Sequence, residues 1–83
     1  MNLQLNYHHL RYFLAVATHG GIKAATEALH VSAPTLSAQV RELEGFLEVE
    51  LFRREGKSLI LSDAGRVVKR YAERIFAFGD EMV

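Results

Sequence analysis

The 83-residue sequence suits one small domain with a compact core and is too short for a catalytic domain beside a second module. Lysine plus arginine equals aspartate plus glutamate at 10 each, so overall charge announces no nucleic-acid partner and any electrostatic footprint is local. Cysteine is absent, which excludes disulfide staples, thiolate metal sites and thiol nucleophiles. No apolar run approaches the roughly 18 residues of a membrane span. The N-terminus lacks the basic flank and apolar core of a signal peptide, so the expectation is a cytoplasmic protein without a membrane partner.

A first helix is predicted to begin near Asn6, a candidate N-cap. Leu10, Phe13, Leu14 and Ala17 recur at the i, i+3, i+4, i+7 spacing that places them on one face, and Gly20-Gly21 stops the pattern. A shorter helix follows from Ile22 to Leu29, with Ile22, Ala25 and Leu29 on its apolar side and Ala24 and Ala28 small enough for a tight helix crossing. His30, Val31 and Ser32 break the rhythm, and Ser32 is placed to cap a third helix. Pro34 fits the first turn of that helix, where no intrahelical donor is lost. Leu36, Val40, Leu43 and Leu47 then define one buried stripe along a helix over about 33–48, leaving Pro34, Ser37, Ala38 and Arg41 on the opposite side.

Residues 51–61 read as a small hairpin, two runs of strand-favouring residues around Glu55-Gly56-Lys57, with glycine supplying the positive φ of a tight reversal. The local charge lies here: residues 51–70 hold six basic residues, Arg53, Arg54, Lys57, Arg66, Lys69 and Arg70, against Glu55 and Asp63. Ser62 is a further N-cap candidate, and from it a helical pattern runs to the end of the chain. Ala64, Val68, Tyr71, Ile75, Phe78 and Met82 form a 4,3-spaced seam able to pair two helices, while Val67, Ala72 and Phe76 form a second apolar strip expected to face the domain body.

Two helices joined by a three-residue turn, the second one capped, are the parts of a helix-turn-helix, whose second helix can lie in a DNA major groove. An ordinary helical hairpin in a small bundle would show the same pattern. The basic hairpin directly downstream favours the first reading, because Arg53, Arg54 and Lys57 would give a second contact to the phosphate backbone or the adjacent minor groove.

The stretch GIKAATEALHVSAPTLSAQVRELEGFLEVELFRREGKSLILSDAG resembles the DNA-binding region of the LysR-type transcriptional regulators. The likeness is carried by Ala24-Ala25, the Leu29-His30-Val31-Ser32 turn, Pro34, Leu36-Ser37, Gln39-Val40-Arg41, Leu43-Glu44, Leu51-Phe52-Arg53-Arg54 and Ala64-Gly65. It implies a mainly α fold, a winged helix-turn-helix over 1–61 with the helix-turn-helix unit at 21–40 and the wing at 51–61, followed by a linker and dimerisation helix over 62–83. It further implies sequence-specific binding to double-stranded DNA at inverted repeats by symmetric dimers or tetramers. A C-terminal effector-sensing domain of such regulators is absent from this chain, which is therefore expected to be a fragment; the ending Asp80-Glu81-Met82-Val83, without a stop signal, carries the same expectation. The two ends, Asn6–Phe13 and Arg70–Phe76, look like the branch of the family that activates a sodium/proton antiporter gene.

By position, the DNA-contacting face of the third helix would be Ala33, Pro34, Thr35, Ser37, Ala38 and Arg41. The family commonly has glutamine where Ala33 stands and a long polar residue where Ala38 stands, so two usual base-reading arms are missing. Gly21 stands where serine or threonine often starts the second helix; exposed amides there can still bind a phosphate, with Lys23 one turn away. His8, His9, His19 and His30 read as surface or turn residues, since His8 and His9 point about 100° apart on a helix, and His30 suits a left-handed turn. No cofactor or metal is expected. An enzyme is disfavoured because no nucleophile-base pair, metal cluster or phosphate loop is visible. The competing class is a winged-helix protein–protein interaction module without DNA binding, motivated by the neutral charge and the two missing arms.

Overall fold

The computed structural model describes residues 4–83; the first three positions of the domain expected over 1–61 lie outside the described residues. The order is α1 (Tyr7–His19), α2 (Ile22–Leu29), α3 (Ala33–Leu47), β1 (Phe52–Glu55), β2 (Ser58–Leu61) and α4 (Asp63–Met82). Each boundary has a local cause. The Asn6 side chain accepts hydrogen bonds from the His8 and His9 amides at 2.9 and 3.2 Å, and Gly20, at φ 78°, closes α1. Ser32 Oγ accepts from the Thr35 amide at 3.2 Å to start α3, with Pro34 in its first turn. His30 and Glu48 end α2 and α3 in the left-handed region, each at φ 57°.

The core divides into two clusters. Leu10, Phe13, Leu43, Leu51 and Ala72 join α1, α3, the entrance to the hairpin and α4. Val16, Ala25, Leu36 and Val40 join α1, α2 and α3, with Ile22, Leu29 and Val31 packed around them. The α1 face is therefore centred on Leu10, Phe13 and Val16, with the expected Leu14 and Ala17 half-buried at its edge. At the helix crossing Ala25 is the buried alanine, whereas Ala24 and Ala28 are exposed, contrary to the expectation from their size. Small side chains permit a close crossing, but the helical period decides which of them meets it.

β1 and β2 pair antiparallel in the register Phe52↔Leu61, Arg53↔Ile60, Arg54↔Leu59 and Glu55↔Ser58. The loop is Gly56-Lys57, and only Gly56, at φ 62°, has positive φ, the pattern of a II′ turn whose twist suits the flanking strands. Phe52 seats the hairpin on the body, its ring 5.4 Å from that of Phe13. Leu51 is the hidden anchor. It is fully buried, its amide donates to Glu44 Oε2 at 2.7 Å, and its carbonyl accepts from the Ser62 amide at 3.0 Å. Ser62 Oγ donates to the Glu50 carbonyl at 2.6 Å and accepts from the Gly65 amide at 2.9 Å, so one serine closes the hairpin and caps α4.

α4 corrects the two-strip expectation. Ala72 and Phe76 do face the body, but Val67 does not; Val68 and Ile75, assigned to the pairing seam, pack against the core instead. Arg11 stacks its guanidinium 4.4 Å from the centre of the Phe76 ring and fixes α1 against this side of α4. No helix of the described residues is long and apolar enough to cross a membrane.

Candidate nucleic-acid interface

α3 turns Leu36, Val40 and Leu43 inward, which leaves Ala33, Pro34, Thr35, Ala38 and Arg41 exposed and Ser37 half-buried on the other side. That is the face expected from the spacing. Thr35 has a second duty there: its Oγ1 accepts a hydrogen bond from Ser32 Oγ at 2.9 Å while its amide donates back to the same oxygen. Its hydroxyl therefore belongs partly to the cap.

A cleft of about 670 Å³ lies between the start of α2 and the hairpin, lined by Gly20 to Ala24, Glu27, Arg54, Lys57, Ser58 and Leu59. It gathers Gly21, Lys23, Arg54 and Lys57 from segments more than 25 positions apart in sequence. No side chain caps the first amides of α2, and the residues that carry them line the cleft. Lys23, Arg54 and Lys57 outnumber the single carboxylate of Glu27, and none of the three is in an ion pair among the described residues. Open amides, a helix N-terminus and three cations favour an anion such as a phosphate.

Arg53 is not brought to this cleft. Alternation along β1 puts Arg54 on the side of Phe52 and Leu59, facing the body, and Arg53 with Ile60 on the other side. The α3 residues are likewise absent from its lining, so the expected contacts fall into a helix face and a separate basic cleft. Sequence reasoning overlooked Glu27 and Ser58, which also line the cleft, Ser58 from the strand position directly after the Gly56-Lys57 turn. The second exposed surface is on α4, where Val67, Tyr71, Phe78 and Met82 are 41, 58, 70 and 83% accessible.

Residues 7–66 match the family described as "Bacterial regulatory helix-turn-helix protein, lysR family". The chain belongs to the LysR family. It is 40% identical over 79 residues to the transcriptional activator protein NhaR of Escherichia coli (strain K12), an overlap of 95% of this chain and 26% of that protein. It is 42% identical over 73 residues to the RuBisCO operon transcriptional regulator of Allochromatium vinosum, covering 88% of this chain and 24% of that protein. The chain thus spans about a quarter of the length of these relatives. NhaR is thus among the relatives, as the likeness at the two ends of the chain led one to expect, and a LysR regulator of a different name matches at similar identity over a shorter overlap.

Among solved structures, the BenM DNA-binding domain in complex with catB site 1 DNA aligns with a TM-score of 0.89 at 29% identity, covering 94% of this chain and 87% of that one. The complex of the CbnR DNA-binding domain with DNA aligns at 0.86 and 35% identity, covering 94% and 90%. The fold is the winged helix-turn-helix of LysR regulators, extended by the long α4.

Proposed function

We propose that this chain binds double-stranded DNA at an inverted-repeat operator as a homodimer of LysR-type regulatory modules. α3 enters the major groove with its Ala33-to-Arg41 face, and the wing lies on the backbone or minor groove beside it. The carrying observation is the cleft that joins the uncapped start of α2 to Lys23, Arg54 and Lys57, a basic site next to a capped helix with an exposed face. Two family domains of the same fold, those of BenM and CbnR, are in complex with DNA, which supports the reading.

Dimerisation is assigned to the outer stripe of α4. Val67, Tyr71, Phe78 and Met82 follow one another at 4, 7 and 4 residues, a narrow stripe on a helix of 3.6 residues per turn, and Ala64 is half-buried beside it. Val68 and Ile75 contribute mainly to the body. A dimer would set two α3 helices about 34 Å apart, or a multiple of that, to meet successive major grooves.

Gel shifts with an inverted-repeat promoter fragment over a salt series test the proposal. Affinity should fall steeply as salt rises, and Arg54→Ala or Lys57→Ala should weaken all sequences alike and reduce the salt slope by about 1 each. Arg53→Ala, on the other side of the hairpin, should change it less. No retardation even at low salt would remove DNA binding and leave the protein–protein module in its place.

A further inference from the structure

The face that α3 is assigned to turn toward DNA is short. Ala33, Pro34, Thr35 and Ala38 are exposed, and none carries an amide or a guanidinium. The bidentate contacts that distinguish purine edges, arginine to guanine or glutamine and asparagine to adenine, require such arms. Thr35 is further limited because its hydroxyl already accepts from Ser32 Oγ. Arg41 is the one long donor on this face, exposed and outside every ion pair among the described residues. It stands seven positions beyond Pro34, about 10.5 Å along the axis, which is roughly three base-pair steps. What an alanine and proline surface can tell apart in the major groove is the C5-methyl group of thymine, present on one of the four bases.

We propose that α3 selects its half-site by packing Ala33, Pro34 and Ala38 against thymine methyl groups, with Arg41 as the single long hydrogen-bonding arm beyond them. The inference rests on the DNA-binding reading above. Its chemistry differs from recognition by polar side chains: hydrogen-bonding edges would matter at the Arg41 end of the half-site, and methyl groups under the first two turns of α3.

The test starts by enriching duplexes bound by the 83-residue chain from a random-sequence pool. Each thymine of the enriched half-site is then replaced by deoxyuridine, which removes the methyl group and keeps the base pair. Binding should weaken about fourfold for each methyl that α3 covers, the gain expected from burying one carbon group. Ala33→Ser and Ala38→Ser, near in volume to the parent, should bring the thymine-to-uracil ratio toward one, with far-UV circular dichroism confirming that the helices remain. Equal affinity for thymine and uracil duplexes overturns the inference and leaves DNA binding standing. Failure to enrich any duplex at low salt overturns both readings.

Discussion

At the scale of single residues, Gly65 has a sharper constraint than any other glycine of the chain. Its amide completes the Ser62 cap, and a Cβ added to it would overlap the backbone carbonyl of Leu51, which cannot withdraw because Leu51 is fully buried and bonded on both sides. Gly65→Ala is therefore expected to destabilise the domain by about 1–3 kcal/mol or more, as overpacking against backbone does. In a domain of this size each kcal/mol lowers the midpoint by roughly 4–8 °C, so thermal denaturation followed by circular dichroism reads the effect. An unchanged midpoint would mean that α4 shifts freely against the wing. The capping role of Ser62 was legible from its position before a helical pattern. The need for Gly65 was not, because the atom that excludes a side chain belongs to a strand entrance 14 positions earlier.

At the scale of elements, the attachment of the wing to α3 runs through one carboxylate. Glu44 Oε2 accepts the Leu51 amide at 2.7 Å, across the seven positions that separate helix from hairpin. Glu44→Ala would leave that donor without an acceptor in a buried setting, at a cost of about 1–3 kcal/mol, whereas Glu44→Gln keeps an acceptor and should lose less. Urea unfolding compares the two variants, and amide exchange at Leu51 and Ser62 should quicken in the alanine variant alone. If alanine and glutamine behave alike, the bond contributes little. Element limits were largely readable here, since Asn6, Ser32 and Ser62 announce α1, α3 and α4 through cap chemistry. Which face of α4 meets the body was harder to read. Its apolar residues cover a wide, continuous arc, so the same 4,3 pattern suits a seam through Val68 and Ile75 or one through Val67 and Tyr71. Only the position of Ala72 against Leu10, Phe13 and Leu43 decides where the body ends and the free stripe begins. The basic cleft was half legible: Lys23, Arg54 and Lys57 were each visible as charges, but strand alternation, not composition, separates Arg54 from Arg53.

For the whole molecule, the charge order along α4 argues for one way of pairing. Residues 63–74 of it carry Arg66, Lys69, Arg70 and Arg74 with Asp63 and Glu73, and its last turns carry Asp80 and Glu81 without a compensating cation. Antiparallel packing of two such helices sets basic halves beside acidic ends, whereas parallel packing stacks like charges. The outer stripe has the matching symmetry: in an antiparallel pair Val67 meets Met82 and Tyr71 meets Phe78, so each contact joins a small or half-exposed residue with a highly exposed one. The chain contains no cysteine, which makes a cross-linking test clean. Val67→Cys and Met82→Cys chains, mixed and oxidised, should form a mixed disulfide far more readily than either variant forms one with itself, read by mass spectrometry. Self-linking by Val67→Cys would point to parallel helices instead. Phe78→Asp, which lies away from the body, should yield monomers by sedimentation with the fold retained; Ile75→Asp would confound pairing with loss of the core, since Ile75 packs against it. In the proposed dimer each half-site would contribute its own phosphate and base contacts, so the Phe78→Asp monomer should also bind an inverted repeat no more tightly than a single half-site, and a retained preference for the full repeat would show that pairing runs through another surface.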